Sequence, residues 1–356
     1  MAQAAVPQQI PPQFRYKRLY SFPYPVASGI TSPVVSSPIE LTKYAQTDYF
    51  SRLLIQVSGN IIVTDPGGGP DPGTATGRPN PEALLVTVQQ DTTPQLNGIT
   101  PVNQVSARGL LVDNTFMRGY IRRATPIADT AGTKAVNILY EIYFKRPYTR
   151  KGAEYDHAIA KYSSDLLTLN FGGRDQLFSG GTESWNLSGL NVSIFADSDL
   201  NNNVERIHNV EFFERTYPIT STQSDFPIDT LPQGFLYSDM YFVAELNNVP
   251  SNLIISNIAI EGGGRVWLPQ GDNNASVLQI AAAEYKGVIT DPSYDPTGIY
   301  PVPLRDGMFT KAIDSLSSPI TLRLSVTFNG GSSNLVRLIG RRMVPGAPAQ
   351  SNPRHR

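Results

Sequence analysis

Apolar and polar residues alternate one by one along much of the chain, which is the period of a strand with one buried face. In "ITLRLSVTF", Ile320, Leu322, Leu324, Val326 and Phe328 fall on one face, and Thr321, Arg323, Ser325 and Thr327 on the other. In "NILYEIYFKR", Ile138, Tyr140, Ile142 and Phe144 alternate with Asn137, Leu139, Glu141, Tyr143 and Lys145. "LNVSIFAD" groups Leu190, Val192, Ile194 and Ala196. Further strands are predicted at 52–63, 84–90, 107–112, 166–171, 209–214, 236–246, 253–261, 277–283 and 335–342. So many one-sided strands, with no long helices between them, predict stacked sheets in an all-β sandwich rather than a parallel α/β fold.

Two segments carry helical spacing instead. Met308, Phe309, Ala312, Ile313 and Leu316 recur at helical intervals in "GMFTKAIDSL", and "EYDHAIAKY" at 154–162 is a weaker version. The two regions also echo each other. "AIAKYSSDLLTL" from Ala158 and "AIDSLSSPITLRL" from Ala312 share Ala-Ile, an apolar residue at the fifth position, Ser-Ser and then a strand, at an offset of 154 residues. With similar strand arrays on either side, the echo predicts two tandem domains of related design, each with a short helix leading into its last strands. The polar stretch "DSDLNNNVER" at 197–206 is the expected join.

A chain of 356 residues has room for two ordinary domains. Charged residues are 17%, below the usual quarter, while Gly and Pro number 29 each, which suits short strands joined by turns. Lys and Arg total 29 against 30 Asp and Glu, so no global field draws in nucleic acid or an anionic membrane. The absence of cysteine removes disulfides, thiolate nucleophiles and cysteine–zinc sites together, and fits assembly in a reducing cytoplasm. Prolines interrupt residues 1–20 where a secretion signal needs a continuous apolar core, so no such signal is read there. No run approaches the roughly 18 apolar residues of a membrane-spanning helix.

Candidate chemistry is sparse. The stretch "GNIIVTDPGGGPDPGTATGRPNPE" follows an apolar run as a phosphate loop does. A P-loop needs Gly-Lys-Ser/Thr after its spacer, and here Gly73 is followed by Thr74 and Ala75. Pro66, Pro70, Pro72, Pro79 and Pro81 oppose the helix that would aim amides at a phosphate, so the stretch reads as an exposed loop. Asp197, Asp199 and Asn201 take the first, third and fifth positions of a calcium loop, but Asn202 and His208 stand where Gly and Glu are needed. His157, His208 and His355 have no zinc spacing, and no Gly-x-Ser-x-Gly elbow accompanies them. Asp225/Asp229 and Glu284/Asp291 are carboxylate pairs that only a folded cleft could bring together. Trp267 in "EGGGRVWLP" is either a stacking platform or a Trp packed between layers. No catalytic residue, metal site or cofactor is assigned.

The ends look like adapters. "QFRYKRLYSFPYPV" interleaves Arg15, Lys17 and Arg18 with Phe14, Tyr16, Leu19, Tyr20, Phe22 and Tyr24, and prolines on both sides predict an extended arm. Three cations are few for nucleic-acid affinity. Phe14, Arg15, Tyr16, Lys17, Arg18 and Tyr20 are therefore candidate contacts to a neighbouring subunit or to a lipid interface, where aromatic rings and cations are both favoured. The tail "GRRMVPGAPAQSNPRHR", with Arg341, Arg342, Arg354 and Arg356, is expected to do the same.

Two tandem sandwiches without cysteine or catalytic signature resemble the double jelly-roll major capsid proteins of the tectivirus–adenovirus lineage. The likeness is carried by "DYFSRLLIQVSGNIIV" (48–63) and "DTLPQGFLYSDMYFVAEL" (229–246) as opening strands, and by "SSDLLTLNFGG" and "SSPITLRLSVTFNGG" as matching late strands. The resemblance implies two eight-stranded jelly-roll sandwiches with short helices in loops. It divides the chain into an extended arm at 1–44, jelly rolls at 45–200 and 201–345, and a flexible tail at 346–356. It also implies a structural virion protein: homotrimeric, pseudo-hexagonal capsomers tiling an icosahedral shell, in contact with neighbouring capsomers and minor vertex proteins, over an internal membrane, assembled in host cytoplasm. No sequence-specific nucleic-acid partner is implied. The alternatives are a receptor- or sugar-binding spike or fibre, and a sandwich-fold carbohydrate enzyme.

Overall fold

The computed structural model describes residues 14–27, 30–42, 49–64, 78–79, 81–93, 100–118, 131–145, 154–157, 164–179, 184–199, 206–207, 209–262, 265–268, 274–284, 296–302, 313–316, 318–330 and 332–343. The first half contributes β1 (Phe14–Pro23), β2 (Val34–Val35) with β3 (Ile39–Glu40), β4 (Tyr49–Thr64), β5 (Thr87–Thr93) and β6 (Val102–Ser106). Helix α1 (Ala107–Arg118) follows, then β7 (Gly132–Tyr143), β8 (Ser164–Phe171) and β9 (Ser184–Asp199). The second half contributes β10 (Val210–Pro218), β11 (Gln223–Leu231), β12 (Leu236–Leu246), β13 (Ile255–Gly262) and β14 (Arg265–Leu268). Helix α2 (Asn274–Glu284) precedes β15 (Ile299–Pro301), β16 (Ile320–Val326) and β17 (Asn334–Met343).

The two halves are wired alike. In the first, β1-β9-β4-β7 form one antiparallel sheet, and β8 is flanked by β5-β6 on one side and by β2 and β3 on the other. In the second, β10-β17-β12-β15 and β11-β16-β13-β14 repeat that order. Each half is thus a two-sheet sandwich in which the first strand pairs with the last. The inner faces follow the alternation read from sequence. Leu53, Ile55 and Val57 of β4 and Leu167, Leu169 and Phe171 of β8 fill the first core, while Leu322, Leu324 and Val326 of β16 fill the second.

The sandwiches share a sheet. β6 runs parallel to β10, with Val102 opposite Phe212 and Asn103 opposite Phe213, so that one sheet of each half continues into the other. The outward face of β10, β12 and β17 is thereby covered by the first sandwich. This explains why β12 is buried from Tyr237 to Glu245 without an exposed face. Met240, Phe242 and Ala244 point into the second core, and Tyr241 and Val243 into the first. A run apolar on both faces is the mark of a strand covered on both sides.

Several expectations are corrected. Residues 107–112 are helical, not a strand, because Ser106 caps them: its Oγ accepts the Gly109 amide at 3.0 Å. Residues 277–283 lie in α2, where an alanine-rich run favours helix over strand. Conversely, Ile313–Asp314 pair with β12 as a strand, and Glu154–Tyr155 pair in parallel with Arg206–Ile207. The remainder of both segments read as helices lies outside the described residues, apart from Asp156, His157, Ser315 and Leu316, none of which is helical. The helices that do recur follow the fifth strand of each half.

The sequence echo is also out of phase. At an offset of 154, buried Leu167 and Leu169 align with Thr321 and exposed Arg323, whereas the cores require them opposite Leu322 and Leu324. Finally, residues 14–27 and 30–42 do not form an arm outside the sandwich. β1 pairs with β9 along its whole length, and Leu19, Tyr24, Val26, Ile39 and Leu41 are buried in the first core. The opening strand of each half therefore lies earlier than the resemblance suggested.

Candidate functional site

The seam between the sandwiches collects most of the chemistry of the described residues. Phe116 of α1 stacks on Tyr241 of β12, with ring centroids 4.7 Å apart at 13°. Beside them lies Arg341 of β17, 2% exposed. Its guanidinium grips both carboxylate oxygens of Asp113 on α1, forms an ion pair with Asp156 at 3.2 Å from Nε, and rests 4.4 Å over the Phe212 ring. Burial alone lowers the pKa of such a group, but Asp113 and Asp156 outweigh it, so the net shift is upward and the charge is permanent. Arg342 alternates to the other face of β17. It forms a fork with Glu211 at 3.0–3.2 Å and lies over the Phe235 ring at 4.3 Å.

A second cluster sits where α1 begins. Arg337 of β17 pairs with Glu214 at 2.7 Å and Glu245 at 3.1 Å. Glu214 also accepts from the Ser106 amide at 2.8 Å and hydroxyl at 2.7 Å. Arg108 reaches both Glu82 and, at 3.4 Å, Glu245, and donates to the Asn248 carbonyl at 3.1 Å. A cleft of about 240 Å³ opens onto Glu82, Arg108, Glu245 and Arg337. Burial raises the Glu82 carboxyl above the ordinary range; Arg108 opposes this and Glu245 adds to it. Chemically the arrangement is a lock. Arg337 binds Glu214 and Glu245 within the second sandwich, and the first sandwich reaches them through Arg108 on Glu245 and Ser106 on Glu214.

The sequence hid this seam. The tail reading of Arg341 and Arg342 is corrected: both belong to the last strand, where Arg341 is packed between the sandwiches and Arg342 faces Glu211 and Phe235 within the second. The available signal was the spacing of Arg337, Ile339 and Arg341, which puts two arginines on one face of a strand whose other face is apolar. Asp113 carries no signal, because the apolar run at 107–112 reads as a strand that stops short of it.

No protein-family model matches the chain, and no curated protein matches it in sequence. Solved structures do match. The major capsid protein of Sulfolobus turreted icosahedral virus aligns over 94% of this chain and 97% of its own, at 12% identity and a TM-score of 0.64. The capsid of PBCV-1 virus aligns over 98% and 99%, at 10% identity and 0.57. The major capsid protein P2 of bacteriophage PM2 aligns over 93% and 98%, at 10% identity and 0.53. The fold is the double jelly roll.

Within the double jelly roll the residues singled out from sequence are dispersed. On β1, the backbone of Phe14, Arg15 and Tyr16 pairs with Asp199, Ser198 and Asp197. Lys17 and Arg18 are exposed, and half-buried Tyr20 donates its hydroxyl to the Glu40 carbonyl at 3.1 Å. Asp197 is no loop ligand: it is a buried strand residue that accepts from Arg52 Nε at 2.9 Å, and Arg52 also pairs with Glu141. His157 is buried 2.9 Å from Asp165. Asp225 is exposed beside Arg323, while Asp291, His208, His355 and most of the 64–81 loop lie outside the described residues. Trp267 stands on β14 and Glu284 ends α2. Among the described residues no group of three His, Asp or Glu side chains is placed to hold a metal, and no helix is long and apolar enough to cross a membrane.

Proposed function

We propose that the chain is a major capsid protein that builds the shell of an icosahedral virion. The observation that carries this reading is the repeat itself. Two jelly rolls of identical strand order are fused edge to edge into one unit, so three copies about an axis supply six equivalent blocks. Such a pseudo-hexagon tiles a closed shell. The seam supports a structural role, since its guanidinium and carboxylate groups bind each other rather than an open substrate cleft. The capsid proteins with the same fold support it too, although they share about a tenth of the sequence.

On this reading the partners are two further copies in the capsomer, then neighbouring capsomers and minor vertex proteins. The exposed cations Lys17 and Arg18, with the residues that precede them, face a neighbour or the headgroups of an internal membrane. The protein acts in the virion and is made in host cytoplasm.

Single-particle electron microscopy of the purified protein tests the assembly. Pseudo-hexagonal particles of three 38.9-kDa chains, about 117 kDa, are the expected result. Elongated trimers would point to a spike instead, and two-lobed monomers at every concentration would overturn the reading.

A further inference from the structure

The end of the second sandwich where β10 and β12 finish and β17 begins differs chemically from the rest of the chain. Pro218 pairs with Leu335 and Leu246 with Asn334, so the loops after β10, after β12 and before β17 gather there. Residues 218–224, 246–254 and 326–334 contain no Asp, Glu, Lys, Arg or His, in a chain that is 17% charged. Asn, Ser, Thr and Gly take their place. The exposed cations of β1 stand at the opposite end. Tyr24, just past β1, donates to the Gly172 carbonyl where β8 finishes, and β6 runs parallel to β10, so β1 begins where β10 begins.

The loops are tied to one another through their own side chains. Asn247, in the left-handed region with φ 51°, accepts the Ser333 amide at 2.9 Å and donates to the Ser332 hydroxyl at 3.1 Å. Asn334 donates to the Asn329 and Ser332 carbonyls at 2.9 and 2.8 Å. The Thr327 amide donates to the Ile254 carbonyl at 2.8 Å, one step beyond the pairing of Ile255 with Val326, which sets Leu253 opposite Phe328. Leu253 is 63% exposed and Phe328 36%. The Thr222 hydroxyl accepts the Phe328 amide at 2.9 Å and keeps its own proton to donate, and Asn252 is exposed beside Leu253.

An aromatic and an aliphatic side chain, set among amides and hydroxyls on braced, uncharged loops, match one ligand chemistry. A neutral sugar has an apolar C–H face to lay on the Phe328 ring, and its hydroxyls both donate and accept. No ion has to be stripped of water to bind it. An anionic glycan finds no cation in these loops, and a protein partner needs about 800 Å² from each side, beyond what one half-exposed ring and one leucine anchor.

We propose that this loop end is a binding site for neutral glycans, with Phe328 and Leu253 as its platform and Thr222 and Asn252 as its hydrogen-bonding groups. Braced loops lower the ordering cost of binding. The site belongs to the single chain and stands apart from the shell reading. On a shell, many copies would present it at once, and multivalency raises a weak single-site affinity by about 10²–10⁴.

The test is a titration of the purified full-length chain with neutral oligosaccharides of glucose, mannose and galactose, beside sialylated ones, read by ligand-observed NMR. At least one neutral series is expected to bind. Phe328→Ala and Leu253→Asp should each weaken that binding about tenfold or more. Should Phe328→Ala fail to fold, Leu253→Asp, at the more exposed position, decides. Val35→Asp, at a 60% exposed site on β2, should bind as the parent does. No binding, binding of sialylated sugars alone, or unchanged affinity in the folded variants would overturn the site. A pseudo-hexagonal trimer that binds no neutral glycan overturns it and leaves the shell reading standing. A chain that binds glycan but stays monomeric at every concentration does the reverse.

Discussion

Removing the guanidinium of Arg341 strands Asp113 and Asp156 in the seam without their counter-charge. Breaking a buried pair in this way costs far more than losing a surface one, because the remaining charge cannot return to water. Arg341→Met should therefore lose about 3–5 kcal/mol in denaturant unfolding, whereas Arg323→Met, which breaks an exposed pair with Asp225, should lose less than about 1 kcal/mol. Equal losses would mean the seam ions are not the lock described. Glu82 gives a pH signature. Its folded-state carboxyl is raised, chiefly by burial, so the folded chain holds the proton more readily than the unfolded one. That contribution is fully favourable at acid pH and is lost as pH rises through the raised value. Glu82→Gln removes the slope, so its melting temperature relative to the parent should climb from pH 5 to pH 8. A difference that stays flat across that range would count against the assignment.

At the scale of elements, α1 couples the halves, and its placement rests on both ends. Ser106 caps it and at the same time donates to Glu214 of β10, so Ser106→Ala should cost about 1–2 kcal/mol in unfolding free energy. A double-mutant cycle on Phe116 and Tyr241 should give a coupling of about 0.5–1.5 kcal/mol, the range for a stacked ring pair beyond its buried area. Strands with one dry face are legible in the sequence: 320–326 and 166–171 alternate and fold as strands, the second beginning two residues earlier at Ser164. The helices after the fifth strands were not. Leu110, Leu111 and Val112 form a short apolar run that either element accommodates, and the capping serine outside the run decides it. β1 was misjudged for a related reason. Its cations and aromatics suggest a surface arm, while the bulge near Leu19 turns only some of its side chains inward. The candidate seam was least legible, because Arg341 finds Asp113 across 228 residues and no local pattern reports that meeting.

The whole molecule carries a shared sheet and a doubly covered strand, so neither jelly roll has a complete surface alone. Heating should produce a single calorimetric transition in which both halves unfold together, with van't Hoff and calorimetric enthalpies in agreement. Two resolved transitions would show that the seam is an ordinary contact between independent domains. The same wiring has a consequence in time. β1 leaves the ribosome well before its partner β9, which ends at Asp199. At common rates of synthesis, about 10–40 s separate the two, and throughout that interval the nascent first strand has no native edge to join. Lys17, Arg18 and Pro23 interrupt it with charge and a missing donor, the devices that keep a waiting strand from pairing with the wrong chain. If the chain is the shell protein proposed above, made in many copies at once, that wait needs protecting, and β1 carries the protection in its own Lys17, Arg18 and Pro23.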